Sequence, residues 1–169
     1  MRSIIKTLNL LLLGAWLGAA IFFGAAVAPN LFDVLHGANL ANANEIAGTI
    51  VTRLLAIINR SGFEISLFAI VTGYFISKGE SWLARLIEMI SLAIVAIMTG
   101  VNQWVLSPRM LALRASMQLP IDQIAHDDPR RLTFDRLHGY SVKMMGAAII
   151  AGLVAFLIMA RRSGLVARR

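Results

Sequence analysis

Four apolar runs, each about as long as a lipid bilayer is thick, constrain this chain more than any other feature. A hydrocarbon core of about 30 Å needs about 20 helical residues at ~1.5 Å each. Runs near 8–28, 62–78, 86–106 and 141–160 approach or meet that length. Backbone surrounded by lipid must satisfy its own hydrogen bonds, which a helix does within one segment. The expected fold is an all-α integral membrane protein. It forms one transmembrane domain over 1–169, a four-helix transmembrane bundle whose long helices project on the outer side. The chain is 58% hydrophobic and 15% charged. A soluble domain of this size is nearer a quarter charged, which sets that class aside.

The first run contains a single strongly polar residue, Asn9, and follows Arg2 and Lys6. A signal peptide would look similar, and Ala26-Val27-Ala28 resembles a cleavage site. The run is too long for a signal segment, and Pro29 would follow the cut directly, so a retained anchor is expected. The second run continues a helix expected to start close to Asn44, a residue type suited to N-caps. Its early part, Ile46 to Ile58, is apolar apart from Thr49, Thr52 and Arg53. Pro108 follows the third run and is expected to kink or end it. The fourth helix should begin at Asp128-Pro129, an N-cap followed by proline at the first helical position. Carried on to Arg162 it would be about 50 Å long, longer than the hydrocarbon is thick. Residues 37–44 and 118–128 read as loops.

The net charge of +7 does not point to nucleic acid. Arginines gather at the ends of apolar runs, as in Arg161, Arg162, Arg168 and Arg169, where they set orientation and touch anionic headgroups. Placing both termini on one side divides the basic residues evenly. The terminal side, with Lys78 and Arg85, has the denser and less acid-diluted cluster. Both termini are therefore expected in the cytoplasm, in a bacterial inner membrane. The chain has no cysteine, which excludes disulfides, thiolate metal sites and cysteine nucleophiles. It also has no nucleotide loop, HExxH pair or Ser-His-Asp order, so no enzyme is expected.

Helices in lipid associate through small residues. Gly14 and Gly18 in the first run, and Ala147, Ala151 and Ala155 in the fourth, suit packing within the chain or a homodimer seam. The expected partners are the bilayer itself and a second copy or larger membrane complex. Trp82 and Trp104 read as interfacial anchors, whereas Trp16 lies deep and needs a partner for its indole N–H. The pairs Arg60/Glu64 and Arg85/Glu88 have helical-neighbour spacing and read as solvated or snorkelling pairs near span ends. Lys143 can snorkel in the same way. Asn102 and Gln103 suit interhelical hydrogen bonding or a polar path. The methionines form no array of the kind that would carry Cu(I).

One short segment recurs. Phe32-Asp33-Val34-Leu35-His36-Gly37 returns as Phe134-Asp135-Arg136-Leu137-His138-Gly139. In a helix, Asp and His three apart share a face. Brought together, Asp33, His36, Asp135 and His138 would supply two carboxylates and two imidazoles, a set that suits Zn²⁺ or another divalent ion. Otherwise each Asp orients its own His, or the residues cap helices. Haem between His36 and His138 would sit at the bundle rim, a poor place for it. No other cofactor is expected.

The run Ala15-Trp16-Leu17-Gly18-Ala19-Ala20-Ile21-Phe22-Phe23, with Ala28-Pro29 and Leu31-Phe32, resembles the first helix of the transmembrane-protein-205-like family. Val101-Asn102-Gln103-Trp104 with Pro108 and Leu113-Arg114 is similar to a later element. Phe134 to Ser141 is similar to the element in which that family shows His-x-x-Ser. The resemblance implies a four-span membrane domain of unsettled activity. The eukaryotic member is associated with platinum-drug resistance, which implies transport or trafficking. Carried over by position, Trp16, Pro29, Asn102, Pro108, His138 and Ser141 are the residues to watch. The asparagine that often follows that serine by four is Met145 here. Two functions follow as expectations: a structural or accessory membrane subunit, or a transporter or metal-handling protein using the Asp/His cluster. The second requires a cavity between the helices that leads to those residues.

Overall fold

The computed structural model describes residues 2–76 and 81–162. Residues 77–78 of the expected second span, Lys78 among them, lie outside the described residues, as do Arg168 and Arg169. Helix α1 (Arg2–Phe22) passes through a π-helical turn (Phe23–Val27) into α2 (Ala28–Gly37). Helix α3 (Ala43–Ile76) returns along it. Helix α4 (Trp82–Val101) passes through a second π-helical turn (Asn102–Leu106) into α5 (Ser107–Met117). A 3₁₀ turn (Ile121–Gln123) then leads to α6 (Pro129–Arg162). The described residues contain no strand. Four continuous helical segments are long and apolar enough to cross a membrane: Ser3–Gly37, Ala43–Phe75, Trp82–Met117 and Pro129–Arg162. At ~1.5 Å per residue each is about 50 Å long, so each exceeds the hydrocarbon by about 20 Å. The end away from Arg2 and Arg162, the distal end, is built from α2, α5 and the first turns of α3 and α6.

The two π-helical turns share one cause. Proline has no N–H, and its ring crowds the carbonyl four residues earlier. Pro29 and Pro108 each stand two residues after a π turn. The widened turn lets Ala28 N–H reach Phe23 O and Ser107 N–H reach Asn102 O, five residues back in each case. The third span therefore does not end at Pro108 but runs on through it to Met117.

Helices α1 and α4 lie diagonally, each packed between α3 and α6. The two halves of the chain repeat one another. Helix, π turn, proline-headed helix and a 34-residue helix occur in that order twice. The shift that carries Pro29 onto Pro108 also carries Leu13, Trp16, Leu17, Ala20 and Phe23 onto Leu92, Val95, Ala96, Thr99 and Asn102, and all ten are buried. The shift that aligns the ends of α3 and α6 carries Gly62, Ser66 and Ala69 onto Ala148, Gly152 and Ala155. These are small buried residues on both helices. Lipid tails are as apolar as leucine, so cohesion here comes from close packing and not from escape from water. Trp16 shows the fit. It lies against Gly62 and Gly152, and its indole N–H donates to Ile58 O at 2.9 Å. Gly14 meets Phe156 of α6, whereas Gly18 faces open space. Of the two α1 glycines, only Gly14 serves packing within the chain.

Capping differs from expectation at one end. Asp128 does cap α6, accepting the Arg130 N–H at 2.7 Å. Asn44 does not cap α3. It lies inside the first turn and donates its side-chain amide to Asp122. Asp122 itself accepts the Glu45 N–H at 3.3 Å, and Glu45 Oε2 accepts the Ile121 N–H at 3.2 Å. The start of α3 is thus satisfied from the far loop, which is pinned onto the bundle with Ile124 buried beneath it.

Candidate functional site

Two cavities with shared walls lie in the distal half of the bundle. One, of about 270 Å³, has walls from α3, α5 and α6 and includes Asn59, Arg114, Arg131, Asp135, His138 and Ser141. The other, of about 330 Å³, is walled by Phe23, Ala28, Ile58, Met145, Gly146 and Ile149. Phe32, Val51, Leu55, His138 and Ser141 border both, so the two form one amphipathic space. Gly24 and Val142 on the apolar rim are exposed on the outside of the bundle.

Asn59 is the least expected member. It is 1% exposed, and no protein group bonds its side-chain oxygen. An unmade hydrogen bond on a buried polar group is costly, so such a group calls for an explanation. Next to the cavity, Asn102 is also 1% exposed. It donates to Ser141 O at 3.1 Å, and its own oxygen again lacks a protein partner.

Two guanidinium groups supply the charge. Arg114 is held by Glu45, 2.7 Å from the carboxylate and 3.0 Å from the backbone carbonyl. It also lies over the Phe134 ring. Its place depends on Gly48, where an added Cβ would come within 2.7 Å of Nη1. Arg131 is fixed by backbone alone, donating to Ile121 O at 3.2 Å and to Ile124 O. Among the described residues no carboxylate pairs with Arg131, and its Nε has no partner. The polar cavity thus offers a positive, preoriented donor that is not ion-paired, with the Asp135 carboxylate elsewhere on the same wall.

The expected metal cluster is not assembled. Among the described residues, no group of three or more His, Asp or Glu is placed to hold a metal ion. Asp135 and His138 border the polar cavity, whereas Asp33 and His36 lie exposed on α2 and border neither cavity. The His36 ring bonds Phe32 O through Nδ1 at 2.8 Å. The recurring segment has a simpler meaning. In both copies the histidine stacks on the phenylalanine one turn earlier, with centroids 6.5 Å apart for Phe32/His36 and 6.4 Å for Phe134/His138. Of the other positions singled out from the sequence, Ser141 borders both cavities and Asn102 supports it. Pro29 and Pro108 each follow a π turn, and Trp16 is packed in the core below. Sequence reasoning missed Asn59 and the role of Arg131. An asparagine deep in an otherwise apolar helix is a usable signal; that no carboxylate pairs with Arg131 among the described residues is not readable from sequence.

Near the other end of the bundle the expected Arg85/Glu88 pair is absent. Glu88 is buried and pairs with Arg162 of α6. Arg85 instead lies over the Tyr74 ring and donates to Tyr74 O at 3.0 Å. A residue taken for an orientation signal is therefore half of a buried interhelical ion pair.

These features define the class: a multi-pass, all-α membrane protein with two similar halves and an amphipathic distal cavity. A family model described as a domain of unknown function (DUF4149) matches residues 11–118, more than half the chain, and the chain belongs to that family. The match spans the apolar part of α1 through α5 and stops short of α6. No curated protein and no solved structure matches the chain.

Proposed function

We propose that this protein is a non-enzymatic membrane binding or carrier protein that takes an amphipathic anion into its distal cavity. The ligand would be a carboxylate or phosphate on an apolar body. The observation that carries this reading is Arg131, a guanidinium held by the Ile121 and Ile124 carbonyls at the cavity wall, with which no carboxylate pairs among the described residues. The adjoining apolar space would take the body of the ligand, and its exposed rim gives access from the bilayer. The combined volume falls within the range of ordinary small-molecule sites, roughly 300–1,000 Å³. Asp135 and His138 offer the cavity only two of the three or four ligands that a protein zinc site uses, so no metal is invoked. Within its family we assign the chain to the transmembrane-protein-205-like group. We place it in a bacterial inner membrane with both termini in the cytoplasm, on the density of basic residues at that end.

The second reading is an accessory subunit held by a partner, which the exposed face of α3 favours. Retention of isotope-labelled palmitate and phosphatidic acid on the purified protein, counted by native mass spectrometry, separates the two. Binding that falls at least tenfold in Arg131→Gln supports the carrier. Equal retention by wild type and variant rejects it in favour of the accessory subunit.

A further inference from the structure

Helix α3 carries an ion pair on the outside of the bundle. Arg60 Nε lies 2.9 Å from Glu64 Oε1, and the two side chains are 71% and 60% exposed. The pair is not near a helix end. Trp16 stands near the middle of the α1 apolar run and bonds the carbonyl of Ile58. Arg60 is therefore level with the centre of that run. Charged groups at the middle of a bilayer are costly and face protein or water, not lipid. Between Ile57 and Val71 the surrounding face is otherwise apolar, with Ile57, Leu67 and Val71 exposed on it, and Arg53 stands one heptad before Arg60. With Arg60 and Glu64 they alternate at spacings of three and four, the spacing of a left-handed helix seam.

We propose that this face of α3 is the contact with a second copy of the chain, α3 against α3 about a twofold axis along the bundle. A twofold contact brings one patch against itself, so the patch must be self-complementary. Arg60 and Glu64 meet that condition at the centre of the face: they carry opposite charges one helical turn apart. Across the axis the two Arg60 stand level, and each guanidinium can reach one turn along, about 6 Å, to the Glu64 of the other copy. The pair leaves the lipid, and all four charges gain partners. A different partner chain would need no such self-complementarity.

The test is the oligomeric state of the full chain in lipid vesicles, read by single-molecule photobleaching over a dilution series. The wild type should be a dimer. Arg60→Glu and Glu64→Arg should each weaken it at least tenfold, and the double reversal should restore it to within about twofold. A monomeric wild type, or a double reversal no better than the single ones, overturns the proposal; the latter outcome means a different partner. If a charge variant fails to fold, cysteine cross-linking takes its place, because the natural chain has no cysteine. Leu67→Cys should form a disulfide-linked dimer on mild oxidation, whereas Ile150→Cys on the outside of α6 should not. Equal cross-linking at both positions, or none at Leu67→Cys, also overturns it.

Discussion

Asn9 of α1 donates to the Thr72 hydroxyl of α3 at 2.8 Å. At the equivalent place in the second half, Glu88 of α4 pairs with Arg162 of α6. The frame is the same, but one half closes its inner end with a neutral hydrogen bond and the other with a buried ion pair. The distal half diverges as well. Phe23 corresponds to Asn102, and Met145 corresponds to Asn59. Around Phe23 and Met145 the space is apolar; around Asn59 and Ser141 it is polar. Repetition therefore accounts for the scaffold, and departure from it accounts for the site. Both departures place polar groups where the matching half shows that apolar or neutral ones fit.

Breaking the inner pairs should give the largest contrast. Glu88→Ala removes the carboxylate of a largely buried interhelical ion pair and should cost about 3 kcal/mol. Asn9→Ala removes one interhelical hydrogen bond and should cost about 1 kcal/mol. Thermal unfolding of the two variants in the same detergent reads the difference; equal losses would erase the distinction between the ends.

Packing gives a second, smaller contrast. A Cβ on Gly62 would lie 2.5 Å from the Trp16 indole nitrogen, so Gly62→Ala should cost about 1–3 kcal/mol by overpacking. Gly18 faces open space, so Gly18→Ala should be neutral or stabilising by up to ~1 kcal/mol through helix propensity. The same unfolding assay decides, and a destabilised Gly18→Ala would show that its face is covered.

The smallest effect belongs to the cap of α6, which has no like counterpart on α3. Hydrogen bonds from the Arg130 side chain and backbone lower the Asp128 pKa to about 2. A depressed folded-state pKa contributes stability above the ordinary carboxylate pKa, and that contribution is lost as pH falls towards 2. Asp128→Ala should therefore lower the melting temperature slightly at pH 7 and make no difference near pH 2. A melting-temperature gap that persists at low pH would assign the effect to something other than the charged cap.

Much of the fold was legible because membrane spans announce themselves by length and hydropathy. The start of α6 was equally plain, since Asp128-Pro129 is a local signal. The pairing of Glu88 with Arg162 was not, because Arg85 stands at ideal helical spacing while the true partner is far along the chain. The repetition was hidden for a related reason. Equivalent positions share burial and rarely identity: Leu13 and Leu92 match, but Trp16 stands against Val95. The one visible match, around His36 and His138, falls on non-equivalent helices and reports only a phenylalanine stacked on a histidine. Of the site, Asn102 was legible as a polar residue in an apolar run and His138 as part of the recurring segment, whereas Ser141 came from resemblance alone. Asn59 needed the structure, since only burial shows that its oxygen lacks a partner.

The most direct measurement gives the first half the residue of the second. Asn59→Met removes a partnerless buried oxygen and so should raise the melting temperature. It should also weaken retention of labelled palmitate and phosphatidic acid by making a polar wall of the Arg131 cavity apolar, the trade expected of a residue kept for binding at the cost of stability. A variant that is more stable and still retains the probe as the wild type does would contradict the account, and so would one that loses stability.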